Sequence, residues 1–283
     1  MSLAALLLPV ALAAAPSSAA ERVRVECEGP VRYDSEPDGK TRLALAGGVK
    51  VRRGETALQA REAQAVLAED GGPPEVVRAE GEVVFRSPAF SARADAAEIR
   101  TTHPADRDGE GRGEFDVRLE RGELAEVELR SGEVLVACRG PLSYSSTSRV
   151  ARLTGGVRAE SPRLRARSRE ATVVLRRASP EEAEKNGEQP EDTPALPAVE
   201  SVELVGEVVL NTPQQDGAEP RRMRAERAFY DAGEDTIAFT GRPDPVVEYG
   251  GVALTAPEIV LHLRDNRIVP RGGKMRAVLD RTK

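Results

Sequence analysis

Apolar and polar residues alternate with a period of two along much of this chain. Gly, Pro, Asp and Asn residues interrupt the alternation at short intervals, as at Gly233 and at the corner Gly241-Arg242-Pro243. Alternation over four to eight residues between turn-forming residues is typical of β-strands with one buried face. The sequence therefore predicts a series of short antiparallel strands. Residues that share the apolar phase near the C-terminus include Ile237, Phe239, Leu254, Ala256, Ile259 and Leu261.

The same motifs occur twice in the same order, which indicates an internal duplication. We predict a first block over 21–137 and a second over 138–283. Each block contains a shorter unit of about 25 to 40 residues, which must stack on its neighbours to bury its apolar face. The matched motifs are Cys-x-Gly-Pro-x-x-Tyr at 27–33 and 138–144, Gly-Gly-Val at 47–49 and 155–157, and Gly-Glu-Val-Val at 81–84 and 206–209.

Glycines precede a Val-rich strand in both blocks. We predict that they allow a positive φ angle or a β-bulge where a strand turns a corner. A phosphate-binding loop would need a helix after the glycines, and none is predicted. We predict insertions at strand turns in three polar stretches, 101–114, 177–197 and 212–220. The acidic, Pro-rich stretch 177–197 is predicted to be disordered.

Composition narrows the choice of function. Aromatic residues make up 3% of the chain and Trp is absent, so Val, Leu, Ile and Ala must fill the interior. The net charge is −6, and no basic run is interleaved with aromatic residues, so nucleic-acid binding has no support. Residues 1–20 carry no charge, and the apolar run 3–15 is shorter than the ~20 residues of a membrane-spanning helix. We predict a cleaved export signal at 1–20, with a retained anchor as the alternative.

Residues with catalytic or metal-binding chemistry are few. Cys27 and Cys138 lie on apolar phases, so we predict two buried free thiols about three repeat units and about 14 Å apart, too far for a disulfide. The two histidines are His103, in a predicted polar loop, and His262. No spacing matches a zinc site, a nucleophile motif or a phosphate loop. We predict no enzymatic activity, no catalytic residues, no metal and no cofactor.

The repeat motifs resemble those of the LptA/OstA family of lipopolysaccharide-transport proteins, over most of residues 40–270. The resemblance implies an OstA-like β-jellyroll shaped like a folded taco, with acyl chains held between two antiparallel sheets. It also implies a periplasmic location and end-to-end stacking on other proteins of this type. The motifs that carry it are Leu45-x-Gly-Gly-Val49-x-Val51, Leu58-x-Ala60, Arg224-Ala-Glu-Arg-Ala-Phe-Tyr-Asp231, Thr240-Gly-x-Pro243 and Leu254-x-Ala256-x-x-Ile259.

The alternation also gives candidates for the lining of such a groove. Two facing sheets pack ~10 Å apart, and burial of an alkyl chain there contributes about 0.8 kcal/mol per CH₂. The same residues could instead fill a closed core. The candidates are Val49, Val51, Leu58, Val83, Phe85, Val157, Leu164, Val208, Leu210, Ile237, Phe239, Leu254, Ile259 and Leu261.

We therefore expect an all-β protein that binds lipopolysaccharide or a related glycolipid and passes it across the periplasm. Two alternatives remain open. One is a structural β-solenoid or assembly module that binds partner proteins through exposed edge strands. The other is an inner-membrane-anchored, LptC-like member of the same pathway, in which residues 1–20 stay attached.

Overall fold

The computed structural model describes residues 23–35, 40–53, 56–67, 74–87, 90–103, 114–122, 126–131, 134–176, 199–213, 220–265 and 267–279. The predicted signal 1–20 and the predicted insert 177–197 lie outside these residues. The described chain forms antiparallel strands, which confirms the all-β prediction. The strands are β1 (Val23–Glu26), β2 (Val31–Ser35), β3 (Thr41–Arg53), β4 (Thr56–Leu67), β5 (Val76–Arg86), β6 (Ser91–His103), β7 (Glu114–Glu120), β8 (Val127–Ser131), β9 (Val134–Cys138), β10 (Leu142–Ser145), β11 (Val150–Leu153), β12 (Val157–Ser161), β13 (Leu164–Ser168), β14 (Glu170–Leu175), β15 (Val199–Thr212), β16 (Arg221–Asp231), β17 (Thr236–Thr240), β18 (Val246–Tyr249), β19 (Val252–Thr255), β20 (Glu258–His262), β21 (Arg267–Arg271) and β22 (Arg276–Leu279).

The strand pairings form two long ladders, which we call sheet 1 and sheet 2. Sheet 1 has the order β2-β3-β4-β5-β6-β7-β10-β11-β14-β15-β16-β17-β20-β21. Sheet 2 has the order β1-β3-β4-β5-β6-β8-β9-β12-β13-β15-β16-β18-β19-β22. Within the described residues each sheet therefore has fourteen layers, and at about 4.8 Å per layer the described stack is about 62 Å long.

The two sheets are connected along one edge only, which we call the spine. Six long strands, β3–β6, β15 and β16, belong to both sheets and change sheet at a break in register near their middle. In the other layers a short link joins one strand of sheet 1 to one strand of sheet 2. At the opposite edge, the mouth, strands that follow each other in the chain belong to the same sheet. Among the described residues, no covalent connection therefore crosses the mouth.

The duplicated Cys-x-Gly-Pro and Gly-Gly motifs meet at the spine. The Gly140 amide donates a hydrogen bond to the Thr154 carbonyl at 2.9 Å, and the Gly29 amide donates one to the Ala46 carbonyl at 3.0 Å. Gly155 has a φ of 77°, and a Cβ there would lie 2.5 Å from the Gly140 nitrogen. Two chain segments can cross this closely only where neither has a side chain, which is why both motifs contain glycine.

The Gly-Glu-Val-Val motifs form the other type of spine corner. The Gly206 and Glu207 φ angles are 80° and 52°, and the first-block motif has the same pair of positive angles. The Glu207 carboxylate forms an ion pair with Arg169 of the neighbouring layer. The predicted structural role of the glycines at strand corners is confirmed, because these corners coincide with breaks in register.

The apolar interior lies between the two sheets and contains side chains from both. In β4–β6 the buried residues next to the spine are alanine or valine, and the leucine and phenylalanine lie further from it. This gradient follows from the geometry, because sheets that share an edge are closest at that edge. The small residues are Ala60, Ala63, Ala79, Ala94 and Ala97, and the larger ones are Leu58 and Phe85.

Three sequence predictions need correction. Cys27 follows β1 and Cys138 ends β9, so six layers, about 29 Å, separate them rather than three. Only Cys138 is buried; Cys27 is half-buried because the first described layer pairs with a described strand on one side only. His103 ends β6 and pairs with Glu114, so the strands extend further into the predicted insertion 101–114 than the alternation indicated.

Candidate functional site

The candidate site is the apolar interior between sheet 1 and sheet 2. All fourteen residues predicted to line a groove belong to it. Val51 and Leu164 are partly buried and pack against the interior, and the other twelve are buried. Their inward placement follows from the two-residue alternation of each strand. Their contact with lipid stays a prediction.

Two of the buried polar side chains are satisfied by nearby backbone groups. The buried polar residues among those described are Ser87, Ser168 and Thr236. The Ser168 hydroxyl donates a hydrogen bond to the Glu170 carbonyl at 2.8 Å, and the Ser87 hydroxyl donates one to the Phe90 carbonyl at 3.3 Å. Such a surface offers a ligand dispersion contacts and apolar burial, without directional hydrogen bonds.

Protein side chains fill the interior in layers as far apart as β5 and β20. Phe85, Phe239, Ile259 and Leu261 each have 0% exposure. A ligand can therefore enter these layers only if the two sheets move apart. Because no covalent connection between described residues crosses the mouth, separation there breaks side-chain contacts and leaves the described chain connections intact.

Four aromatic rings, which we call the clasp, join the two sheets near the mouth. Phe85 and Phe90 belong to the sheet 2 side, and Phe115 and Tyr144 belong to sheet 1. The Phe90 and Tyr144 ring centroids are 4.7 Å apart in an edge-to-face arrangement, and those of Phe85 and Phe115 are 6.2 Å apart. Burial raises the pKa of the Tyr144 hydroxyl. The clasp contains four of the nine Phe and Tyr residues of the chain.

Two serines hold the backbone on either side of the clasp. The Phe90 amide donates a hydrogen bond to the Ser87 hydroxyl at 3.2 Å. The Phe115 amide donates one to the Ser146 hydroxyl at 2.7 Å, and the Ser146 amide returns one to the Phe115 carbonyl at 2.9 Å. These bonds fix the strand ends that carry the rings, so the clasp is a defined contact between the sheets.

The interior is exposed to solvent at the N-terminal end of the described stack. Val25, Val31 and Tyr33 pair with Val51, Leu45 and Leu43, which face inward. They lie in the first layer and are 41%, 55% and 65% exposed. Because the apolar inner face is accessible at this end, an alkyl chain can contact it before the two sheets separate.

The clasp partners Phe90, Phe115 and Tyr144 and the end residues Val25, Val31 and Tyr33 were not among the sequence candidates. Alternation identified inward-facing positions, but it does not tell which of them meet across the mouth or which layer is first. The Tyr that ends both Cys-x-Gly-Pro motifs was a usable signal, because Tyr33 and Tyr144 occupy equivalent inward positions in the two blocks.

The described residues lack two further kinds of functional feature. They contain no cluster of three or more His, Cys, Asp or Glu side chains that could hold a metal ion. They also contain no helix with the length and apolar character needed to cross a membrane.

The fold and its interior define a class: a two-sheet β-stack that is connected along one edge and apolar inside. No protein-family model matches the chain, and no curated protein matches it. Among solved structures it is similar to LptH of Pseudomonas aeruginosa, described as the LptA homologous periplasmic component of the lipopolysaccharide transport device. The two share 10% identity with a TM-score of 0.41, over 52% of this chain and 94% of LptH.

Proposed function

We propose that this chain binds an acylated glycolipid of the lipopolysaccharide class between its two sheets and helps to carry it through the periplasm. The observation that carries the proposal is the pairing of an apolar interior with a mouth that no covalent connection crosses. Alkyl chains can replace side-chain contacts across the mouth, at about 0.8 kcal/mol per buried CH₂. The family resemblance of the repeat motifs supports lipopolysaccharide as the glycolipid.

The interior offers acyl chains a uniform environment through successive layers. A carrier must hold its lipid without fixing it at one point, and contacts spread over many aliphatic side chains meet this need. The exposed inner-face residues of the first layer, Val25, Val31 and Tyr33, are the proposed entry. The sugar and phosphate groups of the lipid would remain in water outside the mouth, because burial of such groups without partners is costly.

The terminal strands support a second candidate function, assembly with partner proteins. Within the described residues, β1 and β2 pair only with β3, and β21 and β22 pair only with β20 and β19. Unpaired strand edges can add strands from another chain. Further β-jellyroll proteins of this type, stacked edge to edge, are the proposed partners. An assembly module without a lipid would use the same edges and keep its sheets closed.

The first experiment is native extraction of the protein from its periplasm, followed by mass spectrometry of bound lipid. We expect a lipid A-type glycolipid that added lipopolysaccharide displaces. Tyr33→Asp then tests the entry, because this exposed position tolerates a charge without loss of the core. Phe229→Asp, on the outer face of sheet 1, is the matched control, since Phe229 is also exposed.

We expect Tyr33→Asp to slow uptake of labelled lipopolysaccharide and Phe229→Asp to leave it unchanged. A folded, lipid-free protein that takes up no labelled lipopolysaccharide would reject the carrier and favour the assembly module. The mass of the mature N-terminus distinguishes both from an anchored protein, in which residues 1–20 remain.

A further inference from the structure

The outer faces of the two sheets carry different charge in the same four layers. In these layers sheet 2 consists of β12, β13, β15 and β16, and sheet 1 consists of β11, β14, β15 and β16. The outward charged residues of sheet 2 here are Arg158, Glu160, Arg165, Arg167, Arg222 and Arg224, and those of sheet 1 are Arg152, Glu170, Glu203, Arg227 and Asp231. Five arginines and one glutamate thus face outward from sheet 2, against two arginines and three acids from sheet 1. We call this part of sheet 2 the basic face.

Carboxylates neutralise only part of the basic face. Arg158 forms ion pairs with Glu126 at 2.9 Å and Glu160 at 3.7 Å, and Arg224 forms one with Glu248. The described residues place no carboxylate oxygen within ion-pair distance of Arg165, Arg167 or Arg222, and all three are exposed.

The arginines of the basic face have mixed neighbours across the strands. Arg158 and Arg167 stand directly opposite each other on β12 and β13, where like charges are destabilising. In the neighbouring row Arg165 and Arg222 flank Asn211 on β15, and across the strands on their other sides stand Glu160 and Glu248. A chain with net charge −6 thus carries more arginines than carboxylates on this outer face. Such an excess points to an anionic partner.

The composition of the basic face favours a membrane over a protein or a nucleic acid. A protein interface is anchored by apolar or aromatic side chains near its centre, and single-stranded nucleic acid stacks on aromatic rings. The residues between the two arginine pairs are Val209, which is half-buried, and the exposed polar Asn211. Four neighbouring strands span about 14 Å, so the arginines on these strands can contact headgroup phosphates of one bilayer surface.

We propose that the basic face docks on the anionic headgroups of a phospholipid leaflet. In this orientation the stack lies along the membrane surface, with sheet 2 below and sheet 1 in solvent. This inference goes beyond the proposed function and does not depend on it, since docking uses the outer face and lipid carriage uses the interior. Guanidinium groups suit the task because each can bind phosphate oxygens through two parallel hydrogen bonds.

Vesicle flotation tests the proposal with the full chain. We expect flotation with phosphatidylcholine vesicles that contain about 30% phosphatidylglycerol, none with phosphatidylcholine alone, and release when salt rises from about 50 mM to about 500 mM. Every variant carries the same residues 1–20, so any contribution of that apolar stretch to vesicle binding is the same in all variants.

Paired substitutions locate the binding surface. Each arginine near an anionic surface contributes about fivefold to binding, so Arg165→Gln/Arg167→Gln should weaken vesicle binding about 25-fold. Arg152→Gln/Arg227→Gln removes the same charge from the outer face of sheet 1 and should change binding less than about twofold. All four arginines are exposed, so both double variants are expected to fold.

Four outcomes would overturn the proposal. They are unchanged binding of Arg165→Gln/Arg167→Gln, an equal loss in Arg152→Gln/Arg227→Gln, equal flotation with phosphatidylcholine alone, and binding to soluble polyglutamate without binding to vesicles. Binding to polyglutamate alone would mean that the basic face binds an acidic protein segment. The vesicles contain no lipopolysaccharide, so failure here is distinct from failure of the carrier function.

Discussion

The ring of Phe90 packs edge-to-face on the ring of Tyr144, with 4.7 Å between centroids, and this contact joins sheet 2 to sheet 1 near the mouth. Phe90 precedes β6 and Tyr144 lies in β10, so the pair links distant parts of the chain. Because the sheets are covalently joined only at the spine, the clasp is a direct determinant of whether the mouth stays closed.

The clasp should contribute strongly to stability. Phe90 is fully buried, so Phe90→Ala is expected to lower the free energy of unfolding by about 3 to 5 kcal/mol. Phe229→Ala, at an exposed position on the outer face of sheet 1, should change it by less than about 0.5 kcal/mol. Guanidinium chloride unfolding gives both values. Equal losses in the two variants would show that the clasp has no special role in stability.

A weaker clasp should accelerate lipid uptake if the proposed function holds. An aromatic pair contributes about 0.5–1.5 kcal/mol beyond its buried area, so Tyr144→Leu should raise the population of open mouth up to about tenfold. Stopped-flow uptake of labelled lipopolysaccharide measures the change in rate, and Tyr144→Phe, which keeps the ring, is the control. A rate that is the same in both variants would mean that the clasp does not limit entry.

The spine allows two glycines to be compared directly. Gly155 and Gly156 have similar positive φ angles of 77° and 86°, so an alanine at either one costs about 1 to 3 kcal/mol of backbone strain. Only at Gly155 does the added Cβ meet another segment, the Gly140 nitrogen, whereas nothing lies within 4 Å at Gly156. Thermal or denaturant unfolding should therefore show a larger loss for Gly155→Ala than for Gly156→Ala. Equal losses would refute the close crossing.

The two thiols should differ in reactivity. Burial raises the pKa of the Cys138 thiol to about 11, so at pH 8 only about one thiol in a thousand is a thiolate. Cys27 is half-buried and should be alkylated first by iodoacetamide in the folded protein. Mass spectrometry of the Cys27→Ala and Cys138→Ala variants assigns each rate, and both thiols should react after unfolding. Rapid alkylation of Cys138 in the folded protein would contradict its burial.

The same raised pKa predicts a pH dependence of stability. The unfolded chain ionises Cys138 near its ordinary pKa of 9.0, while the folded protein retains the proton until about pH 11. The stability that depends on the protonated thiol is therefore present below pH 9 and is lost as the pH rises from 9 to 11. Cys138→Ala should reduce this decline in denaturant midpoints measured across the same range. An identical decline in the variant would assign it to other groups.

The sequence by itself determined the strands, the glycine corners and the inward phase of the apolar residues. Each of these depends on local chemistry. A two-residue period decides which face of the strand a side chain occupies, and a positive φ angle favours glycine, which Glu207 follows with a positive φ angle of its own. All fourteen predicted lining residues accordingly face the interior. The errors at Cys27 and His103 arose where the local pattern does not tell how many layers separate two strands or where a strand ends.

Only the tertiary structure decided which residues meet across the sheets. The contact of Phe90 with Tyr144, the exposure of Tyr33 and the concentration of Arg165, Arg167 and Arg222 on one outer face all depend on the order of fourteen layers. That order is set by pairing between strands that are distant in the sequence, and the two-residue period along the chain does not specify which strands pair. Alternation therefore indicated that the chain has an apolar interior, and the layer order decided where that interior opens and which surface carries the charge.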